Sequence, residues 1–355
     1  MAPMPRVRHD VAHGVCASVP LLLFVTAAFA LAGCSRASQE LVFSGPTMGT
    51  TYTVKTTGAG AVTAAEIATR IEATLAEIDA EMSTYRDDSA LARFNASTST
   101  DWYPVPGELA AVLQAAQELA RLSDGAFDVT VAPLVDLWGF GPGGDPHAVP
   151  APEAVAAARA RVGYRKLEVR LEPPALRKQR ADLEVDLNAI APGHAVDRIA
   201  GQLEAVGVVD YLVDVGGELR VRGRNASDRP WRVAVERPAD GPREVYTVIE
   251  LDAGAVATSG DYRQYFEADG RRYSHTIDPR TAAPVTHALA SVAVVRESAM
   301  LADGLATALA VLGPDEGRDL VESQHLAALF IVRDGDQFSE SSTAAFERLR
   351  VDRRT

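Results

Sequence analysis

Cysteine is almost absent from this 355-residue chain: the two present, Cys16 and Cys34, both lie near its start. The part that must build a core therefore has no disulfide framework, thiolate metal cluster or cysteine nucleophile. Lysine is nearly missing too, with Lys55, Lys166 and Lys178 the only ones, so arginine carries almost all the positive charge. Nor is there a basic excess: 35 Lys and Arg face 48 Asp and Glu, a net −13. That balance argues against a basic field that tracks nucleic-acid phosphates, and no nucleic-acid partner is expected. No apolar run after residue 34 is long enough to span a bilayer, and no repeat recurs along the chain. What is abundant is core material. Hydrophobic residues make up 47% of the chain, which excludes a disordered or fibrous protein.

The N-terminus reads as a targeting segment. Arg6 and Arg8 supply a positive start, and Leu21 to Ala32 is an apolar run too short to span a membrane. Leu31-Ala32-Gly33-Cys34 follows directly and resembles the lipobox of bacterial lipoproteins. That resemblance implies cleavage of residues 1–33 and acylation of Cys34, which would anchor the chain to a lipid bilayer without a transmembrane helix. Ser35 after the cysteine favours the outer membrane over the inner. The expected location is exported, on the periplasmic side, with residues 34–40 as lipidated cysteine and tether and 41–355 as the folded domain.

Periodicity supplies the rest of the organisation. Thr51 to Thr57 alternates as a strand. Thr63-Ala-Ala-Glu66 is a capping box, and Ile67, Ile71, Leu75, Ile78 and Met82 follow at helical spacing. Further helices are expected over 108–122, 151–162, 193–206 and 299–312, and a Gly- and Pro-rich surface loop over 139–152. Strands are expected over 166–171, 182–187, 211–215, 219–223, 231–236, 245–251, 262–268, 272–277 and 289–295. Runs of strands with inserted helices indicate an α+β fold: a single two-lobed domain of mixed, largely antiparallel sheet with packed helices.

Several stretches are too polar and Gly-rich for core packing alone. Asp303 and Thr307, four apart on a helix, share one face and can offer two hard oxygens to a cation, or be an ordinary helix-start Asp and interior Thr. Asp186-Leu-Asn-Ala-Ile-Ala-Pro-Gly193 runs from a strand into a helix, where a helix start favours phosphate, or it is simply a corner. Asp128, in Gly125-Ala-Phe-Asp128, can accept hydrogen bonds from a nucleobase or ribose, or cap the next turn. Asp214-Val-Gly-Gly217 reads as a tight turn. His275, placed on a strand before an Asp-Pro turn, can deprotonate a hydroxyl, though a lone His is more often structural. Tyr85 ends the capped helix and can offer an aromatic face to a flat ligand, though taken singly it reads more readily as core.

In this order the motifs resemble the ApbE family of FAD:protein FMN transferases. The matching stretches are Gly45 to Thr50, Met82 to Arg86, Ser89 to Asn95, Asp124 to Asp128, Asp186 to Asp197, Asp214 to Gly217, Thr258 to Tyr262, His275 to Thr281 and Ala302 to Thr307. The resemblance implies an ApbE-like fold and a reaction. FAD binds with a divalent cation, normally Mg²⁺, with Mn²⁺ or Ca²⁺ as alternatives. Its FMN half passes to a Thr or Ser hydroxyl of an acceptor protein of a membrane redox complex, and AMP leaves. Carried over by position, Met48, Tyr85, Ala126, Phe127, Asp128 and Asp186 match FAD-contacting places, with Pro192 in the same set. Ala189 matches a metal-facing carbonyl, Asp303 and Thr307 match metal-binding side chains, and His275 matches the general base.

The chain departs from the family pattern in three places. Pro192 stands where many relatives have Lys, Gly304 where Ala is usual, and Asn188-Ala189 where Gly-Gly is frequent. Two other readings share the site: a periplasmic FAD pyrophosphatase giving FMN and AMP, and a non-catalytic flavin-binding lipoprotein.

Overall fold

The computed structural model describes residues 40–351 apart from 60, 142–148, 240, 263, 269 and 336. The expected signal segment over residues 1–33, Cys34 and Ser35 lie outside the described residues. Eight strands stand side by side in the order in which the chain makes them: Glu40–Thr47, Thr50–Thr57, Tyr211–Val215, Glu218–Arg222, Ala253–Gly260, Leu289–Arg296, Ala327–Asp334 and Gln337–Ser342. Every pairing among them is antiparallel. The first two are joined by Met48-Gly49, both at positive φ (46° and 70°), the type I′ geometry that suits a two-residue hairpin.

Period-two alternation divides the central strands between two layers. Val54, Val213, Ala255, Ala257, Val292, Val294 and Phe330 point to one face and join the main core. Three helices cover that face: Ala64–Met82, Ala191–Ala205 and the first part of Ala299–Ser323. Val221, Val256, Ala293, Leu329 and Ile331 point to the other face, against the Trp231–Glu236 and Val245–Leu251 ribbon and Phe346. Leu289–Arg296 is thus covered on both faces, which is why its first six residues are all buried. The α+β expectation and the largely antiparallel sheet hold.

Several local expectations hold as well. The capping box at Thr63 and Glu66 is formed, and the helix it starts buries Ile67, Ile71, Leu75, Ile78 and Met82. The helix expected over 299–312 is the first part of Ala299–Ser323, which breaks at Gly313 (φ 78°) just before Pro314. Residues 182–187 are a correction. Leu183, Val185 and Leu187 are buried in strand-like alternation, yet the segment joins no sheet. The Asn95 side chain instead accepts from the Val185 N–H (2.9 Å) and donates to its carbonyl (2.8 Å). Strand Leu167–Leu171 pairs with Pro174–Lys178, which the sequence reading passed over, as it did four strands of the main sheet: Glu40–Thr47, Ala253–Gly260, Ala327–Asp334 and Gln337–Ser342. His275 sits in a bend between Arg271–Ser274 and Ile277–Asp278, not on a strand. No helix among the described residues is long and apolar enough to cross a membrane.

Candidate functional site

Two helix starts meet beside the sheet, and each is capped by an aspartate from the other helix. In helix Ala191–Ala205 the N-cap is Ile190, which has no side chain to offer the free N–H groups of the first turn. All of them are nonetheless accounted for. The Ala191 N–H donates to the Leu187 carbonyl (2.8 Å), Pro192 has none, Gly193 donates to Asp303 Oδ2 (3.0 Å), and His194 makes the first helical bond to Ile190 (3.0 Å). Proline in this first turn removes a donor that would otherwise need a partner, so Pro192 suits the helix start. In return, Asp197 caps helix Ala299–Ser323. Its Oδ1 accepts from the Ala299 N–H (3.0 Å) and Arg220 Nη1 (2.7 Å), and its Oδ2 from the Met300 N–H (3.1 Å) and Ser298 Oγ (2.7 Å). Two helix starts therefore converge with their first-turn N–H groups taken up by the fold, each positive end neutralised by the other helix's carboxylate.

Close approach requires glycine here. A Cβ on Gly193 would lie 2.4 Å from the Ala299 carbonyl oxygen and 2.8 Å from Asp303 Cβ. At Gly304 a Cβ would lie 2.4 Å from Leu119 Cδ1, the tip of a side chain that would have to turn aside for the alanine usual in the family pattern.

Asp303 is buried, and desolvation raises its carboxyl above the ordinary range while the Gly193 N–H opposes the shift. Glu218 is pushed up to about 8 by desolvation, then by the nearby charge of Asp303, with Asp214 adding to it. Thr307, one turn beyond Asp303, has its Oγ1 3.4 Å from Ser259 Oγ at the end of Ala253–Gly260. The Ala189 carbonyl accepts no hydrogen bond among the described residues, because the Gly193 N–H, four residues on, turns to Asp303. Among the described residues no three His, Cys, Asp or Glu side chains cluster as a metal site. The donors present are instead a carboxylate, a hydroxyl and a carbonyl, hard oxygens of the kind Mg²⁺ takes. Repulsion between buried Asp303 and half-buried Glu218 is what a divalent cation relieves, so the residues fit one.

The hairpin tip at Met48 adjoins this cluster through its base. The Gly216 N–H donates to the Thr51 carbonyl (3.1 Å), and Asp214 Oδ1 accepts from Gly217 (3.0 Å), closing the turn that precedes Glu218. Met48 holds a positive φ that is uncommon for a non-glycine residue. Ala126 and Phe127 are buried, and the Phe127 ring lies 3.5 Å from where a Gly304 Cβ would stand, so this loop packs on the Asp303 helix. Asp128 closes its own loop. Its Oδ1 accepts from the Thr130 N–H (2.8 Å) and hydroxyl (2.7 Å), and its Oδ2 from the Tyr164 N–H (2.7 Å), while burial raises its pKa. Asp186 is joined to that loop by its N–H, which donates to Val129 (2.7 Å). Its carboxylate accepts from the Asn188 N–H (2.7 Å) and side-chain amide (3.2 Å), and desolvation raises it.

Tyr85 overturns the core reading: it is 70% exposed, beyond the end of Ala64–Met82, with its ring open to a flat partner. Among the described residues its side chain makes no hydrogen bond or ring contact with the rest of the set.

His275 Nδ1 lies 3.1 Å from the Gln264 carbonyl. A carbonyl only accepts, so Nδ1 carries the proton and Nε2 is the basic nitrogen. Desolvation lowers its pKa, with the Gln264 bond and the charge of Asp261 opposing. Asp261 is fixed by Arg333 Nη2 at 3.1 Å, two residues past Ser259, which links the His275 region to the Thr307 hydroxyl. Sequence reasoning missed Asp197 as a cap and Glu218 as the partner acid. For Asp197 no local signal exists, since the N–H groups it caps lie about a hundred residues away. For Glu218 there was only its position after Gly216-Gly217.

Comparison with known proteins identifies the family. The profile of the ApbE family matches residues 48–330. The FAD:protein FMN transferase of Vibrio cholerae is 44% identical over 318 residues, covering 89% of this chain and 95% of that protein. That of Haemophilus influenzae is 42% identical, covering 92% and 96%. Among solved structures, the flavin transferase ApbE of Vibrio cholerae superposes with a TM-score of 0.81 at 42% identity, covering 88% of this chain and 99% of that one. The apo flavinyl transferase ApbE of Pseudomonas stutzeri gives 0.80 at 45% identity, covering 88% and 96%. The chain belongs to the ApbE family.

Proposed function

We propose that the protein transfers the FMN half of FAD to a Ser or Thr hydroxyl of an acceptor protein and releases AMP. The observation that carries this reading is His275, neutral and held by Gln264 so that Nε2 is the basic atom. In the proposed reaction the acceptor hydroxyl oxygen bonds to the FMN phosphorus, the bond from that phosphorus to the oxygen of AMP breaks, and the hydroxyl proton goes to Nε2 of His275. Positioned base catalysis of this kind contributes ~10²–10⁴-fold. Exposed Tyr85 offers a stacking face to a ring of FAD.

Asp303, Thr307 and the Ala189 carbonyl would hold a divalent cation, Mg²⁺ or alternatively Mn²⁺ or Ca²⁺, which when bound neutralises phosphate charge. Met48, Ala126, Phe127, Asp128, Asp186 and Pro192 shape the FAD cavity around it. The proposed setting is the periplasmic side, with the body tethered through acylated Cys34 and acting on a subunit of a membrane redox complex.

The test is to incubate the purified protein with FAD, Mg²⁺ and a flavin-acceptor domain and to look for covalent flavin fluorescence in a denaturing gel. No labelled band, where a control transferase labels the same acceptor, overturns the reading. Steady FMN and AMP release without acceptor identifies the pyrophosphatase instead.

A further inference from the structure

A groove of about 680 Å³ opens between helix Gly107–Leu122 and strand Leu167–Leu171. The residues that matter in its wall are Arg121, Arg165, Arg170, Trp102 and Val169. None of these belongs to the set assigned to FAD or the cation.

Charge is the first observation. On a chain of net −13, three arginines face one groove. Arg121 and Arg165 are exposed, and among the described residues neither guanidinium has an ion-pair or hydrogen-bond partner; Arg165 only stacks over the Tyr164 ring, at 4.9 Å. Arg170 donates Nε to the Pro173 carbonyl (3.0 Å) and lies 4.6 Å over Trp102, with Arg177 at 5.0 Å from the same ring. The acid in the wall, Glu168, is paired with Arg177. The groove therefore presents unneutralised positive charge beside an aromatic surface.

Backbone geometry is the second observation, and it is independent of the first. The small sheet runs in the order Tyr103–Pro104, Pro174–Lys178, Leu167–Leu171, so the last strand is an edge. The Gln179 N–H donates to the Lys166 carbonyl, which turns residue 166 toward the partner strand. By the two-residue period Glu168 and Arg170 also turn inward, and Leu167 and Val169 turn their N–H and C=O groups outward. Leu167 is already satisfied: its N–H donates to the Tyr164 carbonyl, and its own carbonyl accepts from Gln117 Nε2 at 3.2 Å. Beyond it, Val169 presents a donor and an acceptor that are unpaired among the described residues.

An edge strand flanked by free guanidinium groups suits one kind of occupant. Main-chain bonds to Val169 give an extended peptide its register, and side chains on alternate residues reach the arginines. We propose that this groove binds an acidic, extended segment of a partner protein, which pairs with Val169 on the edge strand and places carboxylates on Arg121 and Arg165. The groove is joined to the candidate site through Tyr164, whose N–H is held by Asp128 Oδ2. A partner docked here is thus one residue away from the loop that carries Ala126 and Phe127.

The test uses the purified protein without FAD, so its outcome does not depend on flavin transfer. A dye-labelled peptide of alternating Glu and Val is titrated and binding is read by fluorescence anisotropy. Three probes accompany it: the same peptide N-methylated at alternate residues, inorganic phosphate, and a single-stranded oligonucleotide as competitor. The expected result is saturable binding that weakens about tenfold or more in R121S/R165S, and equally for the N-methylated peptide. Both arginines are exposed, and unchanged thermal unfolding checks that the variant is folded. Equal affinity of wild type and R121S/R165S overturns the proposal. So does equal binding of the N-methylated peptide, displacement by inorganic phosphate alone, or tighter binding of the oligonucleotide.

Discussion

Gly193 donates its backbone N–H to Asp303 Oδ2 at 3.0 Å, and the absence of a side chain on Gly193 is what lets the two helices come that close. One oxygen of Asp303 is thereby fixed by the fold. A carboxylate oriented in this way from a neighbouring helix is pre-positioned, with Thr307 one turn further along the same face.

Gly193→Ala tests the contact. The added methyl would meet the Ala299 carbonyl, whose own N–H is held by Asp197, so neither side has a flexible tip to move aside. The expected cost is about 1–3 kcal/mol, as for other overpacked interiors. Urea unfolding with an unchanged slope measures it, and a variant as stable as the parent would mean that the helices are less tightly apposed.

Asp303→Asn separates the capping role from the charge. The amide oxygen still accepts from Gly193, so stability should stay close to that of the parent, while Asp303→Ala should lose about 1 kcal/mol with the cap. In both variants the rise in melting temperature on adding Mg²⁺ should disappear. A rise that survives in Asp303→Asn removes Asp303 from cation binding.

The acid pair also sets a pH dependence. Glu218 is pushed up to about 8, and Asp303 is raised as well. For acids raised on folding, the contribution to stability is fully present below the unfolded carboxylate pKa of about 4 and is lost as pH rises through the folded values. The metal-free protein should therefore lose stability from this source between about pH 5 and pH 8. Mg²⁺ should raise the melting temperature more at the upper end of that window. Calorimetry at both ends checks this, and an equal increment at each would sink the idea.

Asp197 should matter more for folding than for chemistry. It satisfies the Ala299 and Met300 N–H groups, the Ser298 hydroxyl and one nitrogen of Arg220. Asp197→Ala should cost about 2–4 kcal/mol, since it leaves the Ala299 and Met300 N–H groups without an acceptor and Arg220 with only Glu204, at 3.8 Å. Chemical denaturation measures this, and a loss below the ~1 kcal/mol of an ordinary cap would show that water replaces the carboxylate.

What could be read in the sequence follows from the range of each interaction. The Thr63 capping box and the Asp303 to Thr307 spacing involve residues within one helical turn, and both were visible. Asp197 was not, because its partners lie some hundred residues away and no local pattern announces a cap from another helix. Ala253–Gly260, with the sequence Ala-Gly-Ala-Val-Ala-Thr-Ser-Gly, has poor strand propensity. It is a strand because Glu218–Arg222 and Leu289–Arg296 pair with it on both sides. Residues 182–187 erred in the other direction: their alternation is real, but the partner is one Asn95 side chain and not a ladder. Tyr85 reads as core in one dimension, yet the chain leaves its helix at Met82 and carries the ring into solvent.

His275 gives the sharpest kinetic expectation. Its pKa is lowered, chiefly by desolvation, so the imidazole stays neutral at pH values where an exposed histidine has begun to protonate. The rate of flavin transfer should therefore hold as pH falls through about 6.5 and decline only below it. Glutamine at this position keeps a polar side chain but cannot take up a proton near neutrality. His275→Gln should accordingly leave FAD affinity within about twofold while slowing transfer by ~10²-fold or more, with the acid limb of the pH profile gone. The experiment is single-turnover labelling of an acceptor across pH 5 to 8, alongside fluorescence titration of FAD. If the acid limb persists unchanged in His275→Gln, the proton goes elsewhere. If FAD affinity collapses with the rate, His275 binds the flavin nucleotide and does not serve as the base.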